Sequence, residues 1–196
     1  MFTEQQFSPR PFASITAHTH DEHKKLYAGY VKNANTVLEK IASYQGDETK
    51  VYELGELYRH FSFEWNGMCN HECYFALLQG QATALATDSA LAQQIEKQWG
   101  SFEKYLAAHT SLTLTRGIGW AMLSCDPSDM SLYLHWVDEQ HLGQLQGTIP
   151  IVALDLWEHS YVADYAPSGK KQYATDFLAA IDWSVAQARY EALAKK

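Results

Sequence analysis

The chain has 196 residues, 46% hydrophobic and 19% charged, a globular composition that excludes a disordered tail, a collagen and a coiled-coil rod. Its formal net charge of −8 supplies no basic face for a phosphate backbone, so nucleic acid is not an expected partner. No apolar run is long enough for a bilayer, the N-terminus lacks a secretory leader pattern, and three cysteines make no paired framework. The expectation is a cytoplasmic protein without a membrane partner.

The first eighty residues read as helix. From Leu26, apolar positions recur at helical spacing through Tyr30, Val31, Val37, Leu38 and Ile41, until Tyr44-Gln45-Gly46-Asp47 breaks the run. A second helical stretch spans about Lys50 to Leu78, with Asn66-Gly67 predicting a kink or a split into two helices. One short turn between the helices predicts an antiparallel hairpin. Leu85–His109 is again helical, broken at Trp99-Gly100-Ser101, where Ser101 can cap the next helix.

β-rich segments follow at Ile118–Cys125, Ser131–Val137 and Thr148–Asp155, the first two joined by the turn residues Asp126-Pro127-Ser128-Asp129. Two helices close the chain, at roughly Lys170–Ala180 and Asp182–Ala194. The organisation is a helical domain over residues 1–84, then an α+β domain over 85–196.

Nine histidines and six tryptophans direct attention to metal chemistry. His18-Thr19-His20-Asp21-Glu22-His23 nearly matches the metallo-β-lactamase pattern H-x-H-x-D-H, but only seventeen residues precede it, too few for the sheet that pattern needs. Cys69 and Cys73 share a helix face that points away from His71, because a residue two positions on lies about 200° round the helix. The cysteines read as packing and His71 stays a separate candidate. Asp155 ends a strand and His159 lies one turn on; such a carboxylate–imidazole pair suits manganese or iron, although position alone favours a helix cap by Asp155 beside a packed His159.

Several motifs resemble the iron/manganese superoxide dismutase family. Asp155-Leu156-Trp157-Glu158-His159-Ser160-Tyr161 is similar to its D-x-W-E-H-A-Y signature, and Asn70-His71 to its N-H ligand site. Gly100-Ser101-Phe102, Gly117-Ile118-Gly119-Trp120 and Ile181-Asp182-Trp183 resemble its G-S-F, G-S-G-W and I-N-W segments. The stretch His23 to Val31 resembles its first-ligand helix, and all six motifs come in the family's order.

The resemblance implies an α+β fold, with an N-terminal helical hairpin before a three-stranded antiparallel sheet. It also implies dismutation of superoxide to oxygen and hydrogen peroxide by one iron or manganese ion per subunit, in a homodimer. By position the ligands are His23, His71, Asp155 and His159. Tyr30 and Gln140 are the implied catalytic pair, with His141 the rival to Gln140. Trp120 and Trp157 wall the site, Glu158 reaches the other subunit's last ligand, and Lys25 and Lys170 make a positive substrate funnel.

The sequence also departs from the family. His23 stands seven residues before Tyr30 where the family has eight, so direct spacing puts Glu22 in the ligand slot and leaves His20 in reserve. A bend or bulge is the expected adjustment. The family's interface histidine is missing near Leu26 and Tyr27, and its tyrosine partner is Val162. The glutamine that some members carry four residues before the second ligand is Gly67. These losses keep open a metal-binding protein of the same fold with weak or no dismutase activity.

Overall fold

The computed structural model describes residues 1–194. The first helix, α1 (Ala17–Tyr44), starts at Thr16, whose side chain accepts from the Thr19 backbone N–H. The remote carboxylate of Asp164 accepts from the Thr16 backbone N–H and the Thr19 hydroxyl, which puts negative charge at the helix start where the dipole favours it. Gly46, at φ +84°, and a 3-10 turn at Glu48–Lys50 reverse the chain into α2 (Val51–Ala76).

The two helices run antiparallel. His23 faces Phe75, Tyr27 donates to Glu72, Tyr30 meets Gly67, and Asn33 reaches Glu64. The split into two helices expected as an alternative at Asn66-Gly67 does not occur, and α2 is one continuous helix. Asn66 bonds back to the Ser62 carbonyl inside the helix, and Gly67 is there for the Tyr30 ring (a Cβ would stand 2.6 Å from its Cε1). The glycine answers a tertiary contact, not a backbone break.

The next helix, α3 (Ala90–Trp99), starts later than Leu85 because Ser89 caps it, accepting from the Ala92 N–H. It ends at Gly100, φ +84°, and Ser101 caps α4 (Phe102–Thr113) as expected. The sheet has β1 (Gly119–Cys125) in the centre, flanked by antiparallel β2 (Leu132–Asp138) and β3 (Ile149–Asp155). Each strand lies within one residue of its expected bounds at either end.

All seven residues of β1 are buried. Pro150 sits where the β1–β3 register shifts, on an edge strand that tolerates a missing N–H. Then come α5 (Lys170–Ala180) and α6 (Trp183–Leu193), the latter capped by Asp182. The last two positions of the expected C-terminal domain lie outside the described residues. The fold class is the expected one: a helical hairpin followed by an α+β unit on a three-stranded antiparallel sheet. Among the described residues no helix is long and apolar enough to cross a membrane.

Packing of α2 on β3 sets the site's position. It also leaves a buried histidine elsewhere with a pH consequence. His109 is enclosed, with Nε2 bonded to the Ala121 carbonyl at 3.2 Å and Nδ1 to the Tyr105 hydroxyl at 3.0 Å. Burial lowers its pKa from 6.5 to about 4. Between those values the unfolded chain binds a proton that the folded chain refuses, so stability falls as pH drops through that window, by about 3 kcal/mol over the full window. His20, likewise lowered to about 4 by burial, adds in the same direction. Urea midpoints at pH 6.5 and 4.5 should therefore differ less for His109→Gln than for wild type; equal acid slopes would refute this account.

Candidate metal centre

Four side chains from four elements converge. His23 comes from α1, His71 from α2, Asp155 from the last residue of β3, and His159 from a 3-10 turn at Glu158–Ser160. One donor atom from each lies within 4.8 Å of the others. The three imidazole Nε2 atoms all face one carboxylate oxygen, Asp155 Oδ2, at 3.0 Å for His23, 3.3 Å for His159 and 3.7 Å for His71.

The hydrogen-bond pattern tests whether an ion fits. His71 Nδ1 lies 2.6 Å from the Gly67 carbonyl, so Nδ1 carries the proton and Nε2 holds a lone pair. Burial, with His23 adjacent, lowers the His71 pKa to about 3, so no proton enters at Nε2 near neutrality. That Nε2 is buried without any partner. A lone pair thus faces a buried carboxylate oxygen, an arrangement that repels unless a cation stands between them. Burial lowers His23 as well. For Asp155 burial pushes upward, but His159 and His23 outweigh it and hold the carboxyl far below its usual range. Neutral imidazoles and one carboxylate are the donor set for iron or manganese.

The shortened spacing in α1 needs no bulge. The helix is regular, and seven residues are nearly two turns, so His23 and Tyr30 fall on one face. Glu22 is exposed and paired with Lys25, and His20 turns to the Arg10 carbonyl at 3.0 Å. His18 is exposed, apart from both.

Two sets of hydrogen bonds order the surroundings. Asp155 Oδ1 accepts from the Trp157 backbone N–H at 2.8 Å, which aims Oδ2 inward. Trp120, 5.0 Å from the His71 ring, donates its indole N–H to Gln140 Oε1 at 2.9 Å. Gln140 Nε2 donates to the Tyr30 hydroxyl at 2.8 Å. Gln140 is fully buried, whereas His141 packs edge-on to Phe63. Trp157 stacks on His159 with ring centres 5.9 Å apart. Burial, then the charges of Asp155 and Glu64, push the Tyr30 pKa well up, so it stays a phenol.

Other expected residues lie outside this cluster. Glu158 is exposed beside His159. Lys170 donates to the carbonyls of Thr115 and Gly117 and sits 5.0 Å over the Trp136 ring; Lys25 is ion-paired at the surface. Neither lysine borders the cleft of about 260 Å³ at Tyr30, which is lined by Leu26, Gly29, Tyr30, Asn33, Phe63 and Glu64. Sequence reasoning named Asn70 in the Asn70-His71 motif but gave it no role; its amide donates to the Gln140 carbonyl at 3.0 Å and its oxygen accepts from Gln144. Its place beside His71 in α2 was the available signal.

Comparison with known proteins agrees with this geometry. The family model for iron/manganese superoxide dismutases, C-terminal domain, matches residues 87–189. A protein of Cupriavidus metallidurans named superoxide dismutase (Fe) is 34% identical over 172 residues, covering 87% of this chain and 85% of its own. One of Nocardia asteroides, named for Mn, is 32% identical, covering 86% and 80%. One of Aeropyrum pernix, named for Mn/Fe, is 30% identical, covering 86% and 79%. With half the chain matched by the family model and relatives this close along most of its length, the chain belongs to the iron/manganese superoxide dismutase family.

Proposed function

We propose that the protein is a superoxide dismutase that uses one iron or manganese ion held by His23, His71, Asp155 and His159. The observation that carries this reading is the convergence of three imidazole nitrogens on Asp155 Oδ2, with the His71 lone pair among them. The bound ion supplies one-electron chemistry between its divalent and trivalent states, so that two superoxide ions and two protons yield oxygen and hydrogen peroxide.

The chain's own part is positioning and exclusion. Trp120 and Trp157 cover His71 and His159, and the dry surroundings strengthen every charge interaction inside. Gln140 spends its oxygen on Trp120 and one N–H on Tyr30, which leaves its second N–H for solvent or substrate. Tyr30, kept as a phenol, accepts from Gln140 and so has its own O–H free to donate at the inner end of the cleft.

Three finer statements belong to the same reading. The helical hairpin and the α+β unit are two domains meeting near residue 85. The active form is a homodimer docked on the face where Glu158 borders Leu114, Ile118, Tyr161 and Lys170; exposed apolar Leu114 and Ile118 beside a carboxylate support this. There Glu158 would accept from the partner's last ligand. The unpaired thiols of Cys69, Cys73 and Cys125 suit a reducing, cytoplasmic setting.

The test is dismutation by protein reconstituted separately with iron and manganese, with metal content and sedimentation measured on the same samples. Catalytic turnover with about one ion per chain in at least one metal is expected. Full metal occupancy with negligible turnover in both would replace this reading with that of a metal-binding protein.

A further inference from the structure

The dismutase reading, on which this inference rests, requires two protons for each peroxide, and a buried carboxylate borders the Tyr30 cleft. Glu64, on α2, borders that cleft yet is only 5% exposed. Its Oε1 accepts from His60 Nε2 at 2.9 Å and is approached by the Asn33 amide at 3.5 Å. Its Oε2 is buried with no partner at all. An unpaired buried carboxylate oxygen is costly and calls for a partner. His60 itself is half-exposed and stacks on Phe63, with ring centres 5.2 Å apart. Phe63 in turn packs against Tyr30 and His141. The ionisable groups around this wall are thus Tyr30 from α1, His60 from α2 and His141 from the loop after β2.

The negative charge is otherwise out of place. A carboxylate beside the approach of an anionic substrate repels it. A proton carried on that carboxylate both cancels the repulsion and supplies what the reaction consumes.

We propose that His60 and Glu64 form the proton-entry pair of this enzyme, passing protons from bulk water to the cleft beside Tyr30. His60 takes a proton from solvent and gives one from Nε2 to Glu64. The carboxyl turns and releases it to cleft water, from which the dioxygen species being reduced takes it. Both residues return to their starting ionisation, and each peroxide formed draws two protons along the route. The pair acts through water and is a delivery device, not a ligand.

The test uses metal-loaded wild type, His60→Gln, Glu64→Gln and the double variant, with dismutation followed in dilute buffer. Each single variant should be slower by roughly 10- to 100-fold, at and below the low end for a positioned acid–base group, with metal content and the absorption spectrum of the ion unchanged. The double variant should be no slower than either single one, and the solvent deuterium isotope effect should grow in all three. Added imidazole should restore His60→Gln and leave wild type unaffected. Nitrogen NMR of the His60 ring should also shift in Glu64→Gln. Variants that turn over like wild type, loss without imidazole rescue, or a His60 resonance indifferent to Glu64 would each overturn the pair. A wild-type protein that holds metal but does not turn over would instead overturn the dismutase reading on which the pair rests.

Discussion

Asp155→Asn should abolish metal binding while leaving the chain folded. The substitution keeps shape, and the amide oxygen can still accept the Trp157 N–H that Asp155 Oδ1 accepts at 2.8 Å. An NH2 group then replaces Oδ2, the atom that three imidazole nitrogens now face. In the metal-free protein the two hydrogens of that group can serve two of the three nitrogens once those rings carry their proton on Nδ1, each new bond contributing about 1 kcal/mol and replacing the present bonds to the carboxylate. The metal-free variant should therefore melt no lower than metal-free wild type.

For an ion the same change is ruinous. The only anionic donor is gone, and an N–H points where the ion would stand. Loss of an outer partner of a ligand costs about 10–100-fold in affinity, and loss of the ligand itself should exceed that. Elemental analysis after dialysis, with dismutation on the same sample, should show metal and activity lost together. A variant that keeps one ion per chain and full turnover would remove Asp155 from the site.

Gly67→Ala pits a local preference against a tertiary contact. In isolation alanine favours the helix by about 1 kcal/mol over glycine. Here the new methyl would stand 2.6 Å from Cε1 and 2.8 Å from Cγ of the Tyr30 ring. That ring is backed by His71, with centres 5.1 Å apart, so it cannot retreat without disturbing either the histidine or the 2.8 Å bond from Gln140. Overpacking of this kind costs about 1–3 kcal/mol, enough to cancel or exceed the helix gain. Displacement of Tyr30 by an ångström can slow turnover by up to about a hundredfold.

The double variant Tyr30→Ala/Gly67→Ala separates the two effects. With the ring gone, the Gly67 change should become neutral or stabilising, a non-additivity that marks direct contact. Wild-type stability and rate in Gly67→Ala alone would mean that the ring has room to move. The same geometry leaves no room for a glutamine at position 67: Tyr30 fills that space, and the Gln140 amide donates to the hydroxyl of that ring.

Much of this was legible in the sequence because the signals are local. Helical periodicity, the Gly100-Ser101 break and the turn after Cys125 placed the elements, and the spacing of Asp155 and His159 reflects a single turn. What could not be read is tertiary. Gly67 looks like a helix breaker until Tyr30 is packed on it. The seven-residue interval from His23 to Tyr30 looked one residue short, yet on a regular helix it puts both on one face. Glu64 and His60 belong to none of the motifs, and only the cleft formed by α1 and α2 gives them a setting. Lys25 looked free, and its partner Glu22 lies on the same exposed turn.

The burial of the site has a consequence for how the protein acquires its ion. His71 and Asp155 are fully enclosed, and His23 is 1% exposed. A hydrated cation cannot shed its waters onto donors it cannot reach, so loading must await a transient separation of the hairpin from the sheet, or precede closure of the nascent chain. Whichever ion is abundant at that moment is captured, and exchange afterwards is as slow as reopening. Metal identity in such a protein then reflects cellular supply at the moment of opening as much as affinity.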